Sequence, residues 1–445
     1  MEMATTEGSL SIDHFNEYRQ SLSADSTFRL AMNAVTRTEF PEIAINRDVV
    51  NALDFTFSNE IETGPITDQK RGSTCWLFAD LNWIRTFTKK KLNTKNFEYS
   101  QNYILFWDKV EKANYFLEKM IELRDQPLDD RKIQWLFEHP VPEGGEWHMM
   151  ANLVRKYGIV PRSAMNYTFS VENTRFLNER LTYKLRESAA QMRQAIRSGA
   201  TVEELRGMKA EIMEKIYRIV AVFLGLPPVT FNWSYRDEEK KFHRDVQITP
   251  LEFAEKYMGL DMNDVYCLMS CPGEDTPFGR TFTVEFFNNM VDGKNWHWLN
   301  VPIDVLKRHT LEMAKAGEAV LFGCDVIQQG HSKEGILDTR LYDYEGIFGV
   351  SFHMDKATRV QFGQTRLTHS MVINGVDLVD DKPIKWKIEN SWGDAVGKKG
   401  YFVMSDEWFD EHVFDLLVPK KYLSEELLPQ FEQTPIVLPP WHPMA

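Results

Sequence analysis

The residues best suited to chemistry lie in Asp68-Gln-Lys-Arg-Gly-Ser-Thr-Cys-Trp-Leu-Phe-Ala79. Cys75 follows a loop containing Gly72 and Ser73 and opens an apolar run, Trp76 to Phe87, that reads as a buried helix. A thiol at a helix N-terminus sits in the positive end of the helix dipole, which favours the thiolate, the nucleophilic form. Gln69, upstream on the loop, carries an amide that can donate to a developing oxyanion. Two distant stretches add partners: Leu367-Thr-His-Ser-Met-Val372 brings His369, and Lys387-Ile-Glu-Asn-Ser-Trp-Gly393 brings Asn390 and Trp392. Each is ordinary alone, since a lone cysteine is most often a small buried hydrophobe. Together, each residue type is the one that its role needs. Cys75 is the candidate nucleophile, and His369 the base that takes its proton and returns it to a leaving amine. Asn390 would accept from the other ring N–H of His369, with Trp392 covering that bond from water. The Gln69 side chain and the Cys75 backbone N–H would form an oxyanion hole.

Composition bounds what else the chain can be. Its 445 residues, 43% hydrophobic and 26% charged, suit a globular protein of two or three subdomains. A formal net charge of -13 argues against a nucleic-acid surface, which needs a basic face. The first residues lack the basic and apolar regions of a signal peptide, and no apolar run reaches membrane-spanning length. Four cysteines are too few for a disulfide scaffold and fit a reducing cytoplasm. Cys267 and Cys271 have no His or Cys pair near enough in sequence to close a metal site, so no metal is expected.

The elements that must position these residues fall into two halves. Ser11 to Leu22 reads as a short helix and Pro41 to Ile45 as extended chain, within an N-terminal arm over 1–60. Beyond the cysteine helix, Tyr103, Phe106, Val110, Leu117 and Ile121 recur at helical spacing, with Ser100 as N-cap. Gly144-Gly145 and Gly158 bracket a further helix. Leu181, Leu185, Met192 and Ile196 form one face of a long helix ending near Gly199. Thr201 and Glu204 form the capping box of a second. From Ala319 the chain turns to short strands, at 319–326, 370–375, 384–389 and 400–404. A helical half carrying the cysteine thus meets a strand-rich half carrying the histidine and asparagine, with a cleft at the junction.

The sequence resembles the bleomycin hydrolase / aminopeptidase C branch of papain-like cysteine peptidases. The resemblance covers nearly the whole chain. It rests on Gln69 to Ala79, Ser100 to Val110, Gly144 to Val154, Leu367 to His369, Glu389 to Gly393, Lys399 to Tyr401 and Asp406 to Phe409. It implies an α+β, papain-like two-lobed core, a helical lobe plus an antiparallel β lobe, with a large helical insertion and a C-terminal arm. The corresponding spans are 61–174 for the cysteine lobe, 175–300 for the insertion serving assembly, 301–425 for the β-rich lobe and 426–445 for the arm. It also implies a cytoplasmic homohexamer that hydrolyses short peptides without a cofactor. In the family the arm lies in the cleft and its terminal carboxylate holds the substrate's amino group, a role that falls here to Ala445. The tail Trp441-His-Pro-Met-Ala445 departs from the family in stopping several residues early and in placing His442 where aspartate is usual. Oligo-endopeptidase activity is therefore expected beside aminopeptidase activity. The rival expectations are an acyl transferase of transglutaminase type, against which Asn390-Ser-Trp392 speaks, and a catalytically silent oligomeric scaffold.

Overall fold

The computed structural model describes residues 7–295 and 297–444. Helices α1 (Ile12–Ser23), α2 (Ser26–Val35), α3 (Phe40–Ala44) and α4 (Arg47–Ala52) lead to a short strand β1 (Asn59–Glu60). Pro41 to Ile45 is thus mostly helical rather than extended. Pro41 stands in the first turn of α3, where a missing N–H breaks no helical bond. The cysteine helix α5 (Cys75–Leu92) is buried on nearly every side and ends on Asn93 in the left-handed conformation. The Ser100 hydroxyl accepts from Tyr103 N–H and caps α6 (Gln101–Glu122). Then come α7 (Arg131–Glu138), α8 (Trp147–Tyr157) and α9 (Phe169–Glu172). The long pair α10 (Arg175–Arg197) and α11 (Val202–Leu224) packs against α6, and the Thr201–Glu204 capping box opens α11 as expected.

The insertion expected to be helical over 175–300 is helical through Leu224 and mixed beyond it. Strands β2 (Phe231–Arg236) and β3 (Phe242–Ile248) make a separate hairpin, followed by α12 (Pro250–Tyr257). Strands β4 (Val265–Met269), β5 (Thr281–Val284) and β6 (Trp298–Asn300) belong to the main sheet. Val265-Tyr-Cys-Leu-Met269 is an apolar run too short for a helix, and it is buried where it pairs with the chain's last long strand. The chain continues through α13 (Ile303–Lys315), β7 (Val320–Cys324), β8 (Gly330–His331), β9 (Ile336–Leu337), α14 (Tyr344–Phe348) and α15 (Lys356–Gln361). Strands β10 (His369–Val379), β11 (Lys382–Glu389) and β12 (Tyr401–Ser405), helix α16 (Asp406–His412), and strands β13 (Val413–Pro419) and β14 (Ile436–Leu438) complete it.

The main sheet runs β14-β5-β6-β4-β13-β7-β10-β11-β12-β9-β8, with β1 also on β10. From β4 through β12 it is antiparallel, as the expected β lobe requires; parallel pairs occur only towards its flanks, at β14/β5, β4/β6 and β12/β9. Helix α5 lies against β10 and β7, and the Trp83 indole donates to the Ala319 carbonyl across this junction at 2.9 Å. The apolar side chains of both lobes meet there, so the Cys75 helix is seated on the strand that begins with His369.

After β14, the arm returns towards the same strand. The Pro443 carbonyl accepts from Leu367 N–H at 3.3 Å, and the Met444 side chain is buried. Ala445, expected as a clamp on the substrate's amino group, lies outside the described residues.

Candidate active site

Cys75 begins α5 and is partly buried. Its thiol faces the backbone N–H of Ser370, the residue after His369, and the N–H groups at the start of its own helix. These donors pull the thiol's pKa down, but burial dominates and pushes it up. The helix N-terminus therefore does not by itself produce a thiolate.

His369 is buried at the head of β10, and its Nε2 lies 2.9 Å from Asn390 Oδ1. The same oxygen accepts from Ser391 N–H at 2.7 Å. An amide turned the other way would set NH2 against N–H, so the Ser391 contact fixes its orientation. With the oxygen towards the ring, Nε2 must carry the hydrogen, which leaves Nδ1 unprotonated in the neutral imidazole. Burial holds the imidazole down to about 4, with the Asn390 contact working the other way. The Trp392 ring covers the pair, 4.9 Å from the imidazole and inclined by 33°.

Gln69 sits on a loop stitched to the same place. Its backbone N–H donates to the Ser391 carbonyl at 2.8 Å, and its Oε1 accepts from the Ser391 hydroxyl at 2.7 Å. Its Nε2 gives one hydrogen to the Gly72 carbonyl at 2.8 Å and retains a second. Asp68 and Trp392 form an isolated antiparallel bridge, and Gly393 N–H donates to the Thr67 carbonyl. Gly393 has φ of +79°, and a Cβ there would lie 2.4 Å from Asp68 Oδ2, so the turn requires glycine. The fold thus ties Gln69 to the Asn390–Trp392 segment, and Cys75 to the start of β10.

Sequence reasoning passed over Ser391, the hinge of these contacts, although it stands between two residues that were singled out. It also passed over three acids. Asp80 on α5, Glu146 ahead of α8 and Asp415 on β13 interact electrostatically with one another, and Asp80 and Glu146 also with Cys75. Burial pushes all three carboxyls upward. Asp80 is 2% exposed, and its Oδ2 has no hydrogen-bond partner among the described residues. The one signal available was a lone acid inside the apolar run Trp76 to Leu81. Asp415 lies opposite Gly323 on β7, which in turn pairs with Ser370 on β10, so the row leads from the acid to the thiol's neighbour. Cys324, Cys267 and Cys271 are buried in the sheet lobe. The Cys324 thiol points at the His369 carbonyl and the Cys267 thiol at Asp415.

A helix-borne thiol set against the strand that carries a His–Asn pair, between two lobes, is the arrangement of the papain-like cysteine peptidases, and comparison with known proteins agrees. Residues 9–445 match the Peptidase C1-like family, and the chain belongs to it. It is 41% identical over 439 residues to aminopeptidase C of Lactobacillus delbrueckii subsp. lactis, covering 98% of each chain. It is 41% identical over 436 residues to human bleomycin hydrolase, covering 96% of each. The crystal structure of PepW from Lactobacillus rhamnosis HN001 superposes with a TM-score of 0.96 at 41% identity, over 99% of both chains.

The acids generate a prediction. Native Asp415 keeps its proton to about pH 6, whereas an unfolded aspartate releases it near 3.8. The native state therefore binds more protons in that window, and stability falls as pH rises through it. Asp415→Asn cannot ionise. Its advantage over the parent should be absent at pH 4 and should grow by on the order of 1 kcal/mol per pH unit crossed, levelling off above pH 6. Urea unfolding of both proteins at pH 4, 5, 6 and 7 measures this; an equal difference at every pH would mean that Asp415 ionises normally.

Proposed function

We propose that Cys75, His369 and Asn390 are the catalytic residues of this cysteine peptidase, with Gln69 and the Cys75 N–H as oxyanion donors and Trp392 as the shield of the His–Asn bond. The observation that carries this reading is the doubly bonded Asn390 oxygen, because it leaves His369 Nδ1 as the free base. Burial disfavours a charge on either Cys75 or His369 alone, so the two charges form together when the thiol proton passes to Nδ1. The thiolate is then met by backbone N–H groups and the imidazolium by the Asn390 oxygen.

The chemistry follows in balanced steps. The sulfur forms a bond to the peptide carbonyl carbon, and the carbonyl π electrons move onto oxygen, where Gln69 Nε2 and the Cys75 N–H donate. The oxyanion collapses, the C–N bond breaks, and the amine leaves with the proton held by His369. Water then gives a proton to His369 and adds to the thioester. The C–S bond breaks, and acid and thiol are restored.

The substrates are short peptides. The seated arm supports this, because its Pro443 carbonyl is bonded to Leu367 N–H beside the start of β10 and its Met444 side chain is buried there. Two of the relatives are named aminopeptidase C and bleomycin hydrolase, which favours release of residues from the amino end. Internal cleavage of short oligopeptides is a second capacity of the same cleft. The enzyme works as a homohexamer in the cytoplasm. Unpartnered apolar surface supports assembly: α1 buries none of its residues, and Val222, Leu226 and Val229 at the end of α11 are exposed. Among the described residues, no helix is long and apolar enough to cross a membrane.

Cys75→Ala is expected to abolish peptide hydrolysis with the fold and assembly intact, whereas Cys267→Ala, Cys271→Ala and Cys324→Ala stay active. Gln69→Ala should lower kcat by ~10²–10³, and Asn390→Ala should lower kcat more than it raises KM. Turnover by the Cys75 variant would sink the assignment. For the mode of cleavage, N-acetylated oligopeptides should be cut at internal bonds. If they are inert while the free-amine peptides lose one residue at a time, the enzyme is strictly an aminopeptidase. For assembly, Val222→Glu with Leu226→Glu should reduce the mass measured by light scattering, and a monomeric parent would refute the hexamer.

A further inference from the structure

Behind the candidate site lies an ion pair that the chemistry above does not use. Arg85 Nη2 and Glu389 Oε1 are 2.6 Å apart, and both side chains are excluded from solvent. Arg85 Nε also donates to the Thr63 carbonyl at 3.0 Å, and the Thr63 hydroxyl donates to the other Glu389 oxygen. Three segments meet at this node. Arg85 stands ten residues after Cys75 on α5, roughly 15 Å along a rigid helix. Glu389 ends β11 and is bonded in sequence to Asn390. Thr63 lies on the approach to Gln69, a few residues before Thr67, which is itself bonded to Gly393.

Stability is a poor reason for such a node. Replacing a buried ion pair by apolar residues of similar volume is often neutral or stabilising. Here Arg85 Nη1 is also left without a hydrogen-bond partner among the described residues. The backbone makes room for the arginine: Gly64, at φ +120°, has no side chain, and a Cβ there would come within 3.2 Å of Arg85 Nε. What the pair supplies is a fixed distance. The guanidinium is a planar fork, so its bonds to Glu389 and to the Thr63 carbonyl hold in one orientation only, which a lysine cannot reproduce. Proton transfer from thiol to imidazole and attack by sulfur demand this tolerance, since a misplacement of about 1 Å can cost ~10² in rate.

We propose that Arg85 and Glu389 are positioning residues, whose ion pair sets the Cys75 helix against the Asn390 strand and the Gln69 approach. The proposal rests on the roles given above to Cys75, His369 and Asn390. The test compares the parent with the apolar pair Arg85→Met/Glu389→Leu and with Arg85→Lys. The apolar pair should keep its Tm and its KM within twofold while kcat falls at least tenfold. The pH profile for alkylation of Cys75 by iodoacetamide should move to higher pH, because a displaced imidazole no longer shares the thiol proton. Arg85→Lys should fall between parent and apolar pair in kcat. A parent-like kcat in the apolar pair overturns the proposal, and so does a loss of kcat that only tracks a loss of Tm. If the apolar pair does not fold, Arg85→Lys decides: parental Tm with reduced kcat supports positioning, and parental kcat ends it. Failure of the catalytic assignment itself would show separately, as turnover by Cys75→Ala or as alkylation of the parent that leaves activity intact.

Discussion

A single oxygen, Oδ1 of Asn390, constrains the rest of the site. It accepts from its own neighbour's N–H and from the His369 ring, and the first contact dictates the orientation that makes the second work. Amide orientation sets the tautomer, the tautomer sets which ring nitrogen is bare, and the bare nitrogen is the one that can take a proton. Other features protect this oxygen. Trp392 lies over the bond, the β10–β11 ladder brings the ends of the two strands together, and Ser391 uses its hydroxyl and carbonyl to hold the Gln69 loop.

Burial acts on the site in two opposed ways. It raises the cost of a lone charge on the thiol or on the imidazole, and it strengthens every dipole aimed at them once charge appears. Each charge is therefore costly unless the other is present. The neighbouring acids follow the same rule. Asp80, Glu146 and Asp415 are held towards their neutral forms by the same exclusion of water, so they add less negative potential beside the thiol than three ionised carboxylates would.

Much of this was legible in the sequence for a physical reason: Cys75, His369, Asn390, Gln69 and Trp392 each sit in a short stretch whose local pattern also specifies an element. Cys75 heads an apolar run that becomes α5, His369 heads β10, and Ser100 and Thr201 cap the helices they were expected to cap. Illegible were features defined by what lies across space. The strands between Val265 and Asn300 are short, and they join a sheet whose other members lie far away in sequence. Pro41 could as well have begun a turn as a helix. Nothing in the local pattern pairs Arg85 with Glu389, more than three hundred residues away, until the fold sets them against each other, and the burial of Asp80 is likewise a product of the packing around α5.

Gly323 and Asp415 show how such a packed row restricts the paths along which the sequence can drift. A Cβ at position 323 would lie 2.4 Å from Asp415 Oδ1 and 2.6 Å from Leu367 Cδ1. The two positions are therefore not independent letters. A side chain can be gained on β7 only if both the Asp415 carboxylate and the Leu367 methyl give way, and a change of Asp415 to asparagine keeps the first clash because the branching is the same. What position 323 tolerates is thus set jointly by three segments that are far apart in the chain.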